Sequence, residues 1–175
     1  MRYARQIRTI MRAMPLWVRL LVTLTIAAVT TSGIALATPG SGLTSSNISV
    51  GLFGEIDLKT IVNGYKVSVT TKGASDIYVV SNVFAPGGQS GWHTHPGPSL
   101  ITVKSGTITA YSSGDDPSCT PQVYPAGTGF VDPGDGHVHL LRNEGTVAAE
   151  TVAVQLLPTG SVRRIDAPDP GNCSF

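Results

Sequence analysis

Two stretches decide how this chain reads: Gly87-Gly88-Gln89-Ser90-Gly91-Trp92-His93-Thr94-His95, and, forty residues on, Gly134-Asp135-Gly136-His137-Val138-His139. They hold all four histidines of the 175 residues, in two doublets with one residue between partners. Residues two apart in a β-strand point to the same face, so each doublet can present two imidazoles to one point. Imidazole is the commonest protein ligand for first-row transition metals, and such clustering points to a metal site. The competing reading, four ordinary core or surface histidines, has to accept their confinement to two doublets as chance.

Working outward, the segments around the doublets have little helical periodicity. Short runs rich in Val, Ile, Thr and Tyr alternate with clusters of Gly, Pro, Asn and Asp. These runs are 65–71, 76–84, 99–103, 107–111, 129–131, 137–142 and 148–157. Twenty glycines and 12 prolines supply the tight turns between them. Seven or more short strands in so short a span predict one all-β sandwich or barrel, over about residues 50–160. Strand parity groups Ser99, Ile101 and Val103 on one face. In the last run, Glu150, Val152, Val154 and Leu156 alternate with Thr151, Ala153 and Gln155. Glu150 thus heads an apolar face, either at the rim of a barrel or as a solvated charge at a strand end.

The first 37 residues read as an export signal. Arg2, Arg5, Arg8, Arg12 and Arg19 make a basic start, residues 20–35 are largely apolar, and Ala35-Leu36-Ala37 offers the small residues a signal peptidase requires. Cleavage after Ala37 would release a secreted or extracytoplasmic domain; the alternative is an uncleaved signal that anchors the chain in a membrane. Residues 38–49, rich in Gly, Ser and Thr, read as a flexible lead-in. Five of the twelve basic residues lie in the signal, leaving seven against eleven acidic ones, a net charge of −4. No basic patch survives, so neither nucleic acid nor, after cleavage, an anionic membrane surface is expected as a partner. A small-molecule ligand or substrate is expected instead, and association into a homodimer stays open.

Cys119 and Cys173 are the only cysteines. An even count in an exported chain favours a disulfide, here tying the C-terminal tail, residues 161–175, to the loop after Pro117. Neither cysteine has another Cys or a His at ligand spacing, so both are set apart from the metal.

With their flanks included, the doublets resemble the two motifs of the cupin superfamily. Gly87, five residues, His93-Thr94-His95 and then Gly106 follow G-x5-H-x-H-x3,4-E-x6-G. Gly127, five residues, Pro133, then Gly136, two residues, His139, three residues and Asn143 approach G-x5-P-x-G-x2-H-x3-N, with one extra residue before Gly136. The resemblance implies a single-domain double-stranded β-helix, a jelly-roll-like barrel of the small bacterial type. It further implies a divalent transition metal (Zn, Fe, Mn, Cu or Ni) held by His93, His95 and His139. The extra residue makes His137 an alternative third ligand or a fourth one. Where the motif has its glutamate, this chain has Ser99, or Leu100 in the longer spacing. Three neutral imidazoles without a carboxylate leave a more electrophilic metal with another open position. Ser99, Asn143 and Glu150 are candidates for the pocket or for supporting the ligands. Asp132 and Asp135 either orient a ligand imidazole or act as turn residues.

Some cupins with three histidines are dioxygenases, so the resemblance admits oxygenase chemistry on a small molecule. The alternative is a barrel that binds metal or ligand without turnover. There is no nucleophile elbow, no phosphate-binding glycine loop and no convincing pair of catalytic acids.

Overall fold

The computed structural model describes residues 37–113, 118–173 and 175, and Pro15. Apart from Pro15 and Ala37, the expected signal peptide lies outside the described residues. The strands are β1 (Ser41–Phe53), β2 (Asp57–Val62), β3 (Tyr65–Thr70), β4 (Ser75–Gln89), β5 (His93–Thr94), β6 (Ser99–Ser105), β7 (Thr107–Ser112), β8 (Gln122–Pro125), β9 (Gly129–Asp132), β10 (His139–Arg142), β11 (Ala149–Pro158) and β12 (Ile165–Asp166). Among the described residues there is no helix.

Ten strands form one antiparallel sheet that curls into a barrel-like sandwich. One wall runs β1-β4-β11-β6-β9 and the other β12-β5-β10-β7-β8. Strand β4 joins the walls: Ser75–Phe84 lies between β1 and β11, and Gln89 pairs with Arg142 of β10. The all-β cupin fold expected from the sequence is the fold observed. Between the walls, Phe84, Val103, Ile108, Leu141 and Ala149 pack as one buried cluster, and Trp92, Tyr111, Leu140 and Ala167 as another. Trp92 faces this second cluster, away from the histidines that follow it.

The flexible lead-in is corrected. Residues 41–53 form β1, paired with β4 along its length from Leu43↔Phe84 to Phe53↔Ser75. Thr38 is docked as well: its Oγ1 accepts the Trp92 N–H at 2.8 Å, and its N–H donates to the Ala167 carbonyl at 3.1 Å. The Ser- and Thr-rich composition suggested a linker. An edge strand with most side chains in solvent, however, needs only extended backbone and a free neighbouring edge. The barrel therefore begins near residue 41 rather than 50.

Strands β2 and β3 form a separate hairpin across Asn63-Gly64, both with positive φ (45° and 85°). That conformation suits the two-residue turn that matches strand twist. Gly106 makes the β6–β7 turn at φ 70°, where a Cβ would sit 2.8 Å from Ala149 Cα. Glycine is needed there for both conformation and space.

Asn143 is a structural residue, not a lining of the cavity described below. Its buried side-chain amide donates to the carbonyls of Phe84 (3.1 Å), Ala85 (3.1 Å) and Val147 (2.8 Å), with its two hydrogens shared among the three. Its Oδ1 accepts the Gly145 N–H at 3.0 Å. Asn143→Leu keeps the branched framework of four heavy atoms but orphans these backbone groups. The expected loss of stability is roughly 2–4 kcal/mol in urea unfolding; a loss below about 0.5 kcal/mol would contradict this role.

Candidate metal centre

The pairing register builds the centre. His139, first residue of β10, lies directly across from His93 of β5, and His95 follows two residues on. The ring centroids are 4.3 Å apart for His93–His139, 5.0 Å for His93–His95 and 5.4 Å for His95–His139. One nitrogen from each of the three comes within 4.8 Å of the others, and all three side chains are buried.

Hydrogen bonding settles which nitrogen each ring can offer. His93 Nδ1–H donates to the Gly91 carbonyl at 2.9 Å, and His95 Nδ1–H to the Arg163 carbonyl. Both rings then carry their lone pair on Nε2, the arrangement found when a backbone carbonyl fixes a ligand histidine's tautomer. With Nδ1 of His95 already donating, the Gln155 amide 3.2 Å away cannot also donate to it and is left to Ser99 Oγ at 3.3 Å. Burial pushes the pKa values of His93 and His95 below the ordinary imidazole value, and takes that of His139 down to about 4. All three are therefore neutral near pH 7, as metal ligands must be.

Asp132 is the residue whose weight the sequence understated. At the end of β9 it pairs with Ser99, which pairs in turn with Gln155 of β11. Gln155, Ser99 and Asp132 form a buried row across three strands, and the neighbouring row, Val154, Leu100 and Val131, points outward. The carboxylate missing from the glutamate slot at Ser99 thus arrives from the adjacent strand. Asp132 Oδ1 accepts from His137 Nδ1 at 2.9 Å and stands 3.5 Å from His139 Nδ1. Its Oδ2, buried and without a hydrogen-bond partner, faces His95 Nε2 at 3.8 Å. Two buried lone pairs facing each other are costly unless a cation or proton lies close to both. The residues present therefore fit a metal ion.

His137 sits outside the three-histidine cluster. It lies in the turn before β10, about a quarter exposed (24%), on the far side of Asp132. Asp132, His137 and His139 make a second set of donors within 4.8 Å of one another, so His139 is common to both sets. The extra residue of the second motif is absorbed in the preceding turn, where Gly134, Asp135 and Gly136 all have positive φ. A Cβ at Gly134 would lie 2.3 Å from the Gly97 carbonyl oxygen, so this turn packs tightly on the His95 loop.

The cluster opens on a cavity of about 160 Å³ inside the barrel. Ser99, Thr151 and Gln155 supply polar lining, Val80, Phe84, Ile101 and Leu141 apolar lining, and Arg163 and Arg164 positive charge. Glu150 stands elsewhere: its Oε1 accepts from Ser81 Oγ (2.9 Å) and Lys104 Nζ (3.0 Å) on the outer face of β11. Strand β11 inverts the expectation from polarity. Thr151, Ala153, Gln155 and Leu157 are buried, whereas Val152, Val154 and Leu156 are not, and Thr151, Ala153 and Gln155 line the cavity from this inward face. Gln155, Arg163 and Arg164 were not singled out from the sequence. The inward parity of Gln155 was readable, but nothing local marks Arg163 and Arg164.

The depressed imidazoles set a pH dependence for the metal-free protein. Unfolded histidines titrate near 6.5, and His139 in the fold near 4. Their contribution is therefore full above about pH 6.5 and is lost as pH falls toward about 4, because only the unfolded chain takes up the proton in that window. Urea midpoints measured from pH 7.5 to pH 4 in the presence of chelator should fall, with a shallower slope for His139→Asn. A flat profile would contradict neutral, buried imidazoles.

Comparison with known proteins agrees with the fold. The family model for the cupin domain matches residues 82–155, which span both motifs. No curated protein matches this chain. Among solved structures, it is similar to the cupin domain of an XRE-family transcriptional regulator from Enterobacter cloacae (14% identity, TM-score 0.42, covering 66% of this chain and 96% of that one). A cupin domain from Bordetella pertussis is similar at 20% identity, TM-score 0.39, covering 59% of this chain and 94% of that one. A recombinant oxalate oxidase in complex with glycolate is similar at 25% identity, TM-score 0.44, covering 65% of this chain but only 50% of that one. Residues 82–155 of this chain thus match the cupin domain, with both motifs inside the matched segment and histidines of both doublets brought into one antiparallel barrel.

Proposed function

We propose that this is an exported cupin that holds a divalent transition metal through His93, His95 and His139 and presents it to a small molecule in the barrel cavity. The observation that carries the reading is the convergence of three buried, neutral imidazoles within 4.8 Å, beside a buried carboxylate oxygen that has no partner. Asp132 supplies the negative charge that the glutamate slot lacks. When bound, such a metal offers Lewis acidity and open positions for a ligand. The chain's own residues fix the imidazole tautomers, exclude water behind the ligands and shape the cavity. Export rests on the basic and apolar start of the chain, and the Cys119–Cys173 disulfide is consistent with it.

Oxygenase chemistry on a small molecule is the enzymatic form of this reading. A specific observation favours its alternative, a binding barrel without turnover: no carboxylate lines the cavity among the described residues, so the lining offers no evident general base. The test is metal content of protein recovered from the exported fraction, followed by oxygen uptake with diols, diketones and aromatic acids. Stoichiometric metal is expected. Its absence after reconstitution with Zn, Fe, Mn, Cu and Ni would sink the proposal, and metal without oxygen uptake would favour the binding barrel.

A further inference from the structure

Two consecutive arginines face the cavity from the segment that joins β11 to β12. Consecutive residues of a regular strand would point to opposite faces, but this segment is irregular, and both Arg163 and Arg164 line the same space. It is pinned to the metal centre on two sides. The Arg163 carbonyl accepts the His95 Nδ1–H, and β12 pairs with β5, placing Asp166 opposite His93 and Ile165 opposite Thr94. The Arg163 guanidinium is held by a 3.0 Å donation from Nη1 to Gln155 Oε1 and lies over the Tyr78 ring, 5.7 Å from its centroid. Arg164 donates from Nε to Asp166 Oδ1, which satisfies one of its five N–H bonds and partly offsets its charge.

Beyond these contacts each guanidinium keeps donors to spare, and among the described residues no acid lines the cavity to take them up. A divalent metal would add to the positive field of the two arginines, with the buried carboxylate of Asp132 beside it. Such a field in a water-poor pocket selects anions, and the planar guanidinium fork is matched to carboxylate geometry. Size narrows the class further: about 160 Å³ compares with the roughly 150 Å³ engineered cavity that holds benzene. The apolar wall of Val80, Phe84 and Ile101 leaves room for a short hydrocarbon part.

We propose that Arg163 and Arg164 form an anion-recognition pair that selects a small carboxylate of about six to ten non-hydrogen atoms, judged against that benzene-sized cavity. The proposal names the ligand class of the same cavity and so rests on the reading above only for the metal end of the ligand. Neither arginine ligates the metal. Arg163 touches the centre only through its main-chain carbonyl, which substitution of its side chain leaves in place.

The experiment is calorimetric titration with matched pairs of equal shape: butyrate and butyramide, lactate and lactamide, benzoate and benzamide. It uses the mature protein in metal-free and zinc-loaded forms, and zinc content is measured separately. In wild type at least one carboxylate should bind ten times or more tighter than its amide, in one form or both. Arg163→Gln and Arg164→Gln should each erode that preference about tenfold at unchanged zinc content, and Arg164→Lys should retain part of it. Thermal unfolding of each variant checks that it is folded, and Arg164→Gln alone suffices if Arg163→Gln is not. No preference for any carboxylate in either form would overturn the proposal, as would a preference undiminished in the folded Gln variants. Loss of zinc together with the preference in those variants would also count against it, because the arginines would then be supports of the fold. Failure to bind zinc is a separate result: it removes the metal centre, while the preference is still read in the metal-free form.

Discussion

Alanine at His93 or at His139 should abolish stoichiometric metal binding. Loss of an outer hydrogen-bond partner alone typically lowers metal affinity 10–100-fold, so loss of a coordinating imidazole is expected to cost more than about 100-fold. The folding consequence can be read independently. A metal present at about 100 times its Kd stabilises the native state by roughly 2.7 kcal/mol. For a domain of this size that raises Tm by roughly 8–12 °C. Wild type should show this rise on metal addition and neither alanine variant should. Asp132→Asn, which keeps shape but removes charge, should fall between them, roughly 10–100-fold weaker than wild type. His137→Ala should retain the metal. If it loses the metal while His139→Ala keeps it, the third ligand has been assigned to the wrong residue of the doublet. Metal retained at wild-type level in His93→Ala would overturn the centre altogether.

The second large effect is expected from the disulfide. Cys119 and Cys173 are bonded, with Cα atoms 5.2 Å apart and a sequence separation of 54. Both pack against the cluster of Trp92, Tyr111, Leu140 and Ala167. Closing a loop of that length is worth roughly 4 kcal/mol on the chain-entropy model. The double variant Cys119→Ser with Cys173→Ser, or reduction of wild type, should therefore lower Tm by roughly 10–15 °C. The bond also bears on the site, because it fastens the tail that follows β12 and the Arg163 carbonyl that orients His95. Metal affinity should fall in the double variant, but less than in His93→Ala, since the ligands themselves remain. A Tm shift below about 2 °C would show that β12 and the buried cluster hold the tail without the bond.

Much of this was readable from local pattern. Alternating Val, Ile and Thr runs between Gly and Pro clusters placed β4, β6, β7, β9, β10 and β11 to within a few residues, because strand parity and turn chemistry are local properties. The doublets put all four histidines forward for the same reason, since spacing of two in extended chain is itself geometry, whereas the preference for His139 over His137 came from the resemblance. Local pattern misled at residues 38–49, where a composition typical of linkers forms the long edge strand β1. Composition measures the drive to bury side chains and says nothing of a neighbour's unpaired backbone. It misled again on β11, whose more polar face turns inward. Which face is interior is set by the strand's pairing with its neighbours, which the polarity of the strand alone does not reveal.

The sequence by itself therefore determined the class of fold, favoured a bond between the two cysteines and confined the candidate imidazoles to two doublets. Tertiary structure alone decided what stands around them. Asp132 reaches the empty glutamate position because β9 pairs with β6 in a register that sets it beside Ser99. Arg163 and Arg164 reach the cavity because β12 pairs with β5 across some seventy residues of chain. Long-range pairing register is a cooperative property of the whole sheet, set by the best joint burial of many strands, and no single stretch of sequence encodes it.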